Sequence, residues 1–364
     1  MRFVKTYDEL LSFIGNMSLY CYGNGDVGRS FFEFCKRNHI AVGGFIVSDD
    51  NNKKQVSEIE THTLSDVLYK INIAYNIKIL VTTTSTYHAE IIDYMVSNGI
   101  PEQNIAVLYD MVDLKNFEYI KEVERRKRLS IFEYQQISAD LDFADRTHTI
   151  SSYFYGSNFL VKRALGLSSV RDINGIVEHG YRGMDNLILK YEIDEKNQHG
   201  DTIYVSSNER KLFLEKHLPS KKIVSVGIYM KYADNLIEKH DFQLLKKYLG
   251  RTLLVFPYHS TLSFDCDFAP RKLMEEVKRV KHNYDTILIC MYWVDIQSHN
   301  YEYFNDIDCK IVTAGNIYDY YFLFRLKTLI ELSDMTISNS IGSQTSYCVY
   351  LDRKEHTSEL QSHA

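Results

Sequence analysis

The sequence predicts an α/β protein built on parallel sheets, because short apolar runs alternate with segments of helical spacing along most of its 364 residues. In the first part the runs are Leu19–Tyr22, Ala41–Val47, Ile77–Val81 and Ile105–Leu108. The same rhythm returns at Thr252–Phe256, Thr286–Met291, Lys310–Thr313 and Met335–Ile337. Most of these runs give way to a Gly, Ser, His or Asn cluster, the composition expected of ligand loops at the carboxyl ends of parallel strands. A chain of this length divides into two or three domains.

Taken in order, Leu19–Tyr22 is a strand, and Val27 to Asn38 a helix whose apolar face carries Phe31, Phe32, Phe34 and Cys35. Ala41–Val47 is the next strand, ending at Ser48-Asp49-Asp50. Ser65 caps a helix running to Lys70, Ile77–Val81 is a strand, Tyr87 to Ser97 a helix, and Ile105–Leu108 a strand that closes a domain over 1–110. Residues 111–149 are polar and of helical spacing, and read as a connector. Strands resume at Gly175–Val177, Thr202–Val205 and Lys222–Gly227, with a helix at Glu209–Leu218, in a domain over 150–235. A third domain over 236–353 has helices at Phe242–Leu249, Arg271–Val280 and Phe322–Leu332 between its strands, and helical spacing again over Gln344–Tyr350. One architectural idea recurs, with no repeat at the level of residues.

The hydrophobic fraction of 45% and charged fraction of 25% suit a water-soluble chain, and a net charge of -6 opposes a nucleic-acid partner held by phosphate neutralisation. Arg125-Arg126-Lys127-Arg128 reads as a solvated helix face. Charges interrupt the start, Met1 to Leu11, where a signal peptide needs an apolar core, and the longest apolar run, Thr286–Val294, suits a buried strand. A cytoplasmic protein with at most peripheral membrane association is expected. Cys21, Cys35, Cys266, Cys290, Cys309 and Cys348 are widely spaced and read as free thiols. The stretch Glu355-His-Thr-Ser-Glu-Leu-Gln-Ser-His resembles a translated sequencing adapter, which implies a natural sequence diverging near Arg353, so Lys354–Ala364 is kept out of the fold assignment.

Gly23-Asn-Gly-Asp-Val-Gly28 follows a strand and opens a helix, as a dinucleotide fingerprint does: Gly23 for the turn, Gly25 for phosphate approach, Gly28 for helix packing, and Asp49 for a ribose hydroxyl. A nucleotide, NAD or no ligand all remain open at this loop. Further on, Glu178-His179-Gly180 ends a strand, where either acid or imidazole can take a proton from a hydroxyl; a turn histidine bonded to backbone is the alternative. His259-Ser260-Thr261 stands just past a strand and offers donors suited to phosphate oxygens. Trp293 is either a stacking platform or a core residue. Gly315 and Asn316 permit close backbone approach, with Arg325 on the following helix able to meet a phosphate or solvent.

The most specific pattern is Ser338-Asn-Ser-Ile-Gly-Ser343: Ser338, Ser340 and Ser343 supply hydroxyls, Gly342 removes a blocking side chain, and the next helix points its N-terminus at the anion. The Asp-x-Asp pairs at Asp140/Asp142, Asp265/Asp267 and Asp306/Asp308 fall in polar segments and follow no clean strand, so no metal is expected.

Together, the Glu178-His-Gly element, Phe256-Pro-Tyr-His-Ser260, Ile311-Val-Thr-Ala-Gly315 and Ser338–Tyr350 resemble the two lobes of GT-B glycosyltransferases of bacterial capsule and O-antigen clusters. The N-terminal part resembles the short Rossmann-like domains of bacterial surface-sugar enzymes. The resemblance implies three Rossmann-like parallel-sheet domains, the last two forming a GT-B-like pair that moves a sugar from a nucleotide-sugar donor to a glycan or lipid-linked acceptor without metal. It makes Glu178 or His179 the base, and His259, Ser260, Ser340 and Ser343 donor ligands. The chain departs from the family in lacking a Glu-x7-Glu donor motif. Alternatives are an NAD-dependent sugar-nucleotide modifying enzyme and a non-catalytic protein of the same pathway.

Overall fold

The computed structural model describes residues 2–48, 59–71, 77–83, 87–109, 111–141, 150–167, 173, 175–178, 180–181, 200–260, 270–352 and 354–357. The chain separates into a first unit spanning Met1–Ile120 and a second made of Lys121–Leu141 and the chain from Asp145 onward.

In the first unit β1 (Phe3–Val4), β2 (Ser18–Tyr22), β3 (Val42–Val47), β4 (Thr61–Thr63), β5 (Ile77–Val81) and β6 (Ile105–Leu108) form one sheet in the order β1-β6-β5-β2-β3-β4. All five pairings are parallel. Period-2 alternation sends Leu19, Cys21, Phe45 and Leu80 to a face packed against Phe31, Phe34 and Cys35 of α2 (Asp26–Arg37), with Leu10 and Phe13 of α1 (Tyr7–Ile14). Tyr22, Ile46, Ile79 and Val81 face the other way, onto Leu64 and Val67 of α3 (Leu64–Ile71) and Ile92 and Met95 of α4 (His88–Ser97). A capping box opens α1: Glu9 N–H donates to the Thr6 hydroxyl and Thr6 N–H to the Glu9 carboxylate, both at 3.2 Å. The third helix is capped from Thr63, not Ser65, because Thr63 and Asp66 exchange the same reciprocal bonds at 3.2 and 2.8 Å.

The division between units falls within α5 (Val112–Lys127), inside the segment expected to be a connector. Its basic end is not wholly solvated. Arg126 is only 1% exposed and donates to the carbonyls of Ile137, Ala139 and Asp140, around the end of α6 (Tyr134–Ser138), and to Glu122. A guanidinium buried there satisfies three backbone acceptors that the turn would otherwise strand.

The second unit contains two parallel sheets. After α7 (Ser157–Ala164) come β7 (Ile176–Val177), β8 (Thr202–Val205), α8 (Asn208–His217) and β9 (Lys222–Ser225), with the strands in the order β7-β8-β9. The chain continues through α9 (Lys239–Leu249), β10 (Thr252–Phe256), α10 (Arg271–Val280), β11 (Thr286–Cys290), α11 (Trp293–Gln297), β12 (Lys310–Val312), α12 (Phe322–Leu332), β13 (Met335–Ser338), α13 (Ser343–Tyr350) and β14 (Lys354–Thr357). Their sheet runs β12-β11-β10-β13-β14. Leu253, Val255, Ile287, Ile289 and Ile337 build its core against Leu273 and Val277. In both large sheets the chain winds outward from one strand, β2 or β10, then crosses to its other side, which leaves a strand-order switch between β2 and β5 and another between β10 and β13.

Excluding the segment from Lys354 onward from the fold does not hold for Lys354–Thr357, which pairs in parallel with Met335–Ser338. Backbone hydrogen bonding at an open sheet edge accepts extended chain of almost any composition.

Candidate functional site

A cavity of about 610 Å³ lies over the carboxyl ends of β10, β11 and β12, at the switch between β10 and β13. Phe256, Pro257 and His259 line it from β10, and Met291 and Tyr292 from β11. Gly342, Ser343, Gln344, Ser346 and Tyr347 form the wall at the start of α13, while Gly180 and Tyr181, just after β7, bring the smaller sheet to the same space.

The imidazole of His259 is fixed by its neighbours. Its Nδ1 stands 2.9 Å from the Ser260 carbonyl, an acceptor only, so Nδ1 carries the proton and Nε2 keeps the lone pair of the neutral ring. Its ring lies against that of Tyr292, with centroids 4.3 Å apart, and Tyr258 stacks farther off at 6.4 Å. Ser260 is buried, and its N–H donates to the Asp295 carboxylate at 3.2 Å, so this serine anchors the loop and does not line the cavity. Thr261 lies outside the described residues.

The serine cluster divides by role. Ser338 is fully buried; its hydroxyl donates to the Ser340 carbonyl at 2.7 Å and accepts the Ser340 N–H at 3.2 Å, which makes it a clasp across the turn. Ser340 is also buried, against the Gln344 amide, and neither serine lines the cavity. Gly342 and Ser343 do line it. The Ser343 hydroxyl accepts the Tyr181 N–H at 2.9 Å, so α13 is tied to the loop after β7.

Gly315, Asn316 and Arg325 turn inward rather than to the cavity. Gly315 has φ +115, and a Cβ there would lie 2.9 Å from Arg325 Nη1 and from Asp319 Oδ2. Arg325 is 1% exposed, donating to the Ala314 carbonyl at 2.7 Å and paired with Asp319 at 3.0 Å. Asn316 is buried and accepts the Tyr318 N–H. These residues shape the loop after β12, whose Ala314 reaches the cavity.

Glu178, the first of the two expected bases, does not line the cavity. Its carboxylate is buried and gripped by Arg210, Nη2 to Oε1 at 2.7 Å and Nε to Oε2 at 2.9 Å, while the Tyr229 hydroxyl donates to its carbonyl. A carboxylate held on both oxygens by a buried guanidinium is poorly placed to meet an acceptor hydroxyl. Its neighbour His179 lies outside the described residues.

Sequence reasoning missed the tyrosines. Tyr155, Tyr181, Tyr292 and Tyr347 all line the cavity, and the Tyr155 and Tyr292 hydroxyls stand 3.4 Å apart. Burial pushes the Tyr155, Tyr292 and Tyr347 hydroxyls upward in pKa, so all three stay protonated near neutrality. With 28 tyrosines in the chain, no single one stands out by composition. Trp293 is buried on α11 and is a core residue.

In the first unit the glycine loop sits where β2 and β5 part. Gly23 has φ +108, Gly25 caps α2 with open space before it, and the Thr82 hydroxyl donates to the Gly23 carbonyl at 3.0 Å. Asp49 lies outside the described residues. Cys21, Cys35, Cys290, Cys309 and Cys348 are free thiols. Among the described residues no helix is long and apolar enough to cross a membrane, and no three His, Cys, Asp or Glu side chains gather as a metal site.

The molecule is thus an α/β protein of Rossmann-like parallel sheets, the last two of which border one cavity. No protein-family model and no curated protein matches the sequence. Among solved structures, the chain is similar to S. aureus MnaA with UDP, at 10% identity and TM-score 0.29 over 89% of this chain and 74% of that one. It is also similar to the UDP-GlcNAc 2-epimerase of Methanocaldococcus jannaschii, at 9% identity and TM-score 0.30 over 93% and 82%.

Proposed function

We propose that the second unit transfers a sugar from a nucleotide-sugar donor to a hydroxyl of a glycan or lipid-linked acceptor, without a metal ion, as in assembly of a bacterial surface polysaccharide. One observation carries the reading: the first turn of α13, opened by Gly342, meets the loop after β7 at Ser343 across a cavity at a strand-order switch. Backbone amides and the dipole of that turn favour the donor's pyrophosphate, and Gly342 keeps the approach clear. Apolar walls at Phe256, Pro257 and Phe322 suit the less polar faces of the donor.

In the reaction the acceptor oxygen bonds to the anomeric carbon as the bond from that carbon to the phosphate oxygen breaks, and the nucleoside diphosphate leaves with the electron pair. The acceptor's proton needs a base. His259 offers Nε2, since Nδ1 is committed to Ser260; His179 is the second imidazole to test.

The experiment is a thermal-shift and calorimetric screen of the full chain with UDP, GDP, CMP and their sugars, followed by mass spectrometry of products. Nucleotide binding is expected, and it is expected to be lost in Gly342→Val. That substitution is sterically mild, because its Cβ meets only the flexible end of Gln344. A protein that binds none of these nucleotides, or binds them equally well after Gly342→Val, overturns the proposal. Product analysis separates transfer from hydrolysis or isomerisation of the donor sugar, and binding with no product from any donor and acceptor pair assigns a non-catalytic role.

The glycine loop of the first unit favours a second reading, in which that unit also holds a nucleotide or NAD. Open space in front of Gly25 at a strand-order switch is the observation behind it.

A further inference from the structure

We infer that Tyr155 and Tyr292 together form the subsite that recognises a sugar-ring hydroxyl of the donor, with Tyr155 as a specificity-determining residue. The inference rests on the nucleotide-sugar reading and adds to it where the sugar sits and what holds it. Both tyrosines line the cavity, and their hydroxyls stand 3.4 Å apart. Each hydroxyl donates one hydrogen bond and accepts others, which matches the double character of a sugar hydroxyl better than the fixed donor and acceptor edge of a base. Burial keeps both protonated. The aromatic surroundings fit as well: Tyr155 packs on Phe322 with centroids 4.7 Å apart, and Tyr292 on His259 at 4.3 Å, giving flat apolar faces beside the polar pair.

The backbone at Tyr155 marks its position as constrained. It has φ +61, a left-handed conformation that a bulky residue rarely adopts. Two contacts hold it there. The Tyr155 N–H donates to the Ile317 carbonyl at 2.7 Å. Gly156 follows with φ +71, and a Cβ on it would lie 2.3 Å from the Tyr320 carbonyl oxygen. The segment is therefore clamped against residues 317–320, and the clamp aims the Tyr155 ring at Phe322 and its hydroxyl at Tyr292.

The test compares free UDP or GDP with the corresponding nucleotide-sugar by calorimetry on the full chain, using wild type, Tyr155→Phe and Tyr292→Phe. Each variant removes one hydroxyl and keeps the ring, so the packing survives. Free-nucleotide affinity is expected within about twofold of wild type, while affinity for the nucleotide-sugar falls about tenfold, the loss of one hydrogen bond. A donor lacking the recognised sugar hydroxyl should bind wild type about tenfold more weakly and lose nothing further in the variant, since the pair then has no partner to lose. Equal weakening of free nucleotide and nucleotide-sugar would place the pair at the nucleotide and overturn the inference, as would unchanged binding of both. Failure of wild type to bind any nucleotide overturns the transferase reading and this inference with it.

Discussion

Gly28 packs so close to Gly23 that a Cβ on Gly28 would lie 2.1 Å from the Gly23 carbonyl oxygen, well inside contact distance. Gly25, between them, faces open space. The two positions therefore separate packing from binding. Gly28→Ala must push α2 off the sheet and should cost about 1–3 kcal/mol, read as a lowered Tm. Gly25→Val has room and a φ of -71, so its melting should match wild type. If the loop holds a nucleotide, NAD-dependent fluorescence quenching seen in wild type should vanish in Gly25→Val.

Arg210 and Glu178 give a second contrast. Removing one member of a buried pair strands the other charge, so Glu178→Gln should lose about 3–5 kcal/mol. The double variant Glu178→Leu with Arg210→Met should recover most of that loss in chemical denaturation. A Glu178→Gln protein as stable as wild type but inactive would restore Glu178 as the base.

Stability should fall at both ends of the pH scale. Burial raises the Cys35 and Cys290 thiols from 9.0 to about 12, so the folded chain holds these protons more tightly than the unfolded chain. Their contribution is complete below the ordinary thiol value and is lost as pH rises toward the folded value, by up to about 1.4 kcal/mol per pH unit for each thiol. Tyr155 and Tyr229, raised by burial, act in the same direction at higher pH. Glu122 behaves oppositely: hydrogen bonds from Arg125, then Arg126, lower its carboxyl from 4.5 to about 2, so its contribution is present above 4.5 and lost as pH falls through 2. Melting curves against pH should show a shallower alkaline limb in Cys290→Ala and a shallower acid limb in Glu122→Gln.

The strands of both large sheets were legible because parallel strands are covered on both faces and read as unbroken apolar runs, as Leu253 to Phe256 does. Phe3–Val4 is too short for such a signal, and Thr61–Thr63 is a polar edge. At the site, spelling located the loops but not the direction of each side chain. Ser338 and Ser343 look equivalent in the sequence, yet one clasps a turn and the other faces the cavity. The partner that neutralises Glu178 is 32 residues away, on a helix with no pattern to reveal it. Tyr155 owes its place to a left-handed turn that nothing before Gly156 announces.

Asp295 decides where His259 stands. Its buried carboxylate accepts the Ser260 N–H and, at 3.0 Å, the Asn300 side-chain amide, joining the loop after β10 to α11. Asp295→Ala leaves both donors without that acceptor, at a cost of about 1–3 kcal/mol for a buried amide, and frees the loop that stacks His259 on Tyr292. A Tm lowered by roughly 3–10 °C is expected, with nucleotide-sugar binding about tenfold weaker. Asp295→Asn keeps one acceptor oxygen and should fall between the two proteins in both measurements. Wild-type affinity in an Asp295→Ala protein of lowered Tm would separate the carboxylate's part in folding from any part in ligand binding, and would show that His259 keeps its place without it.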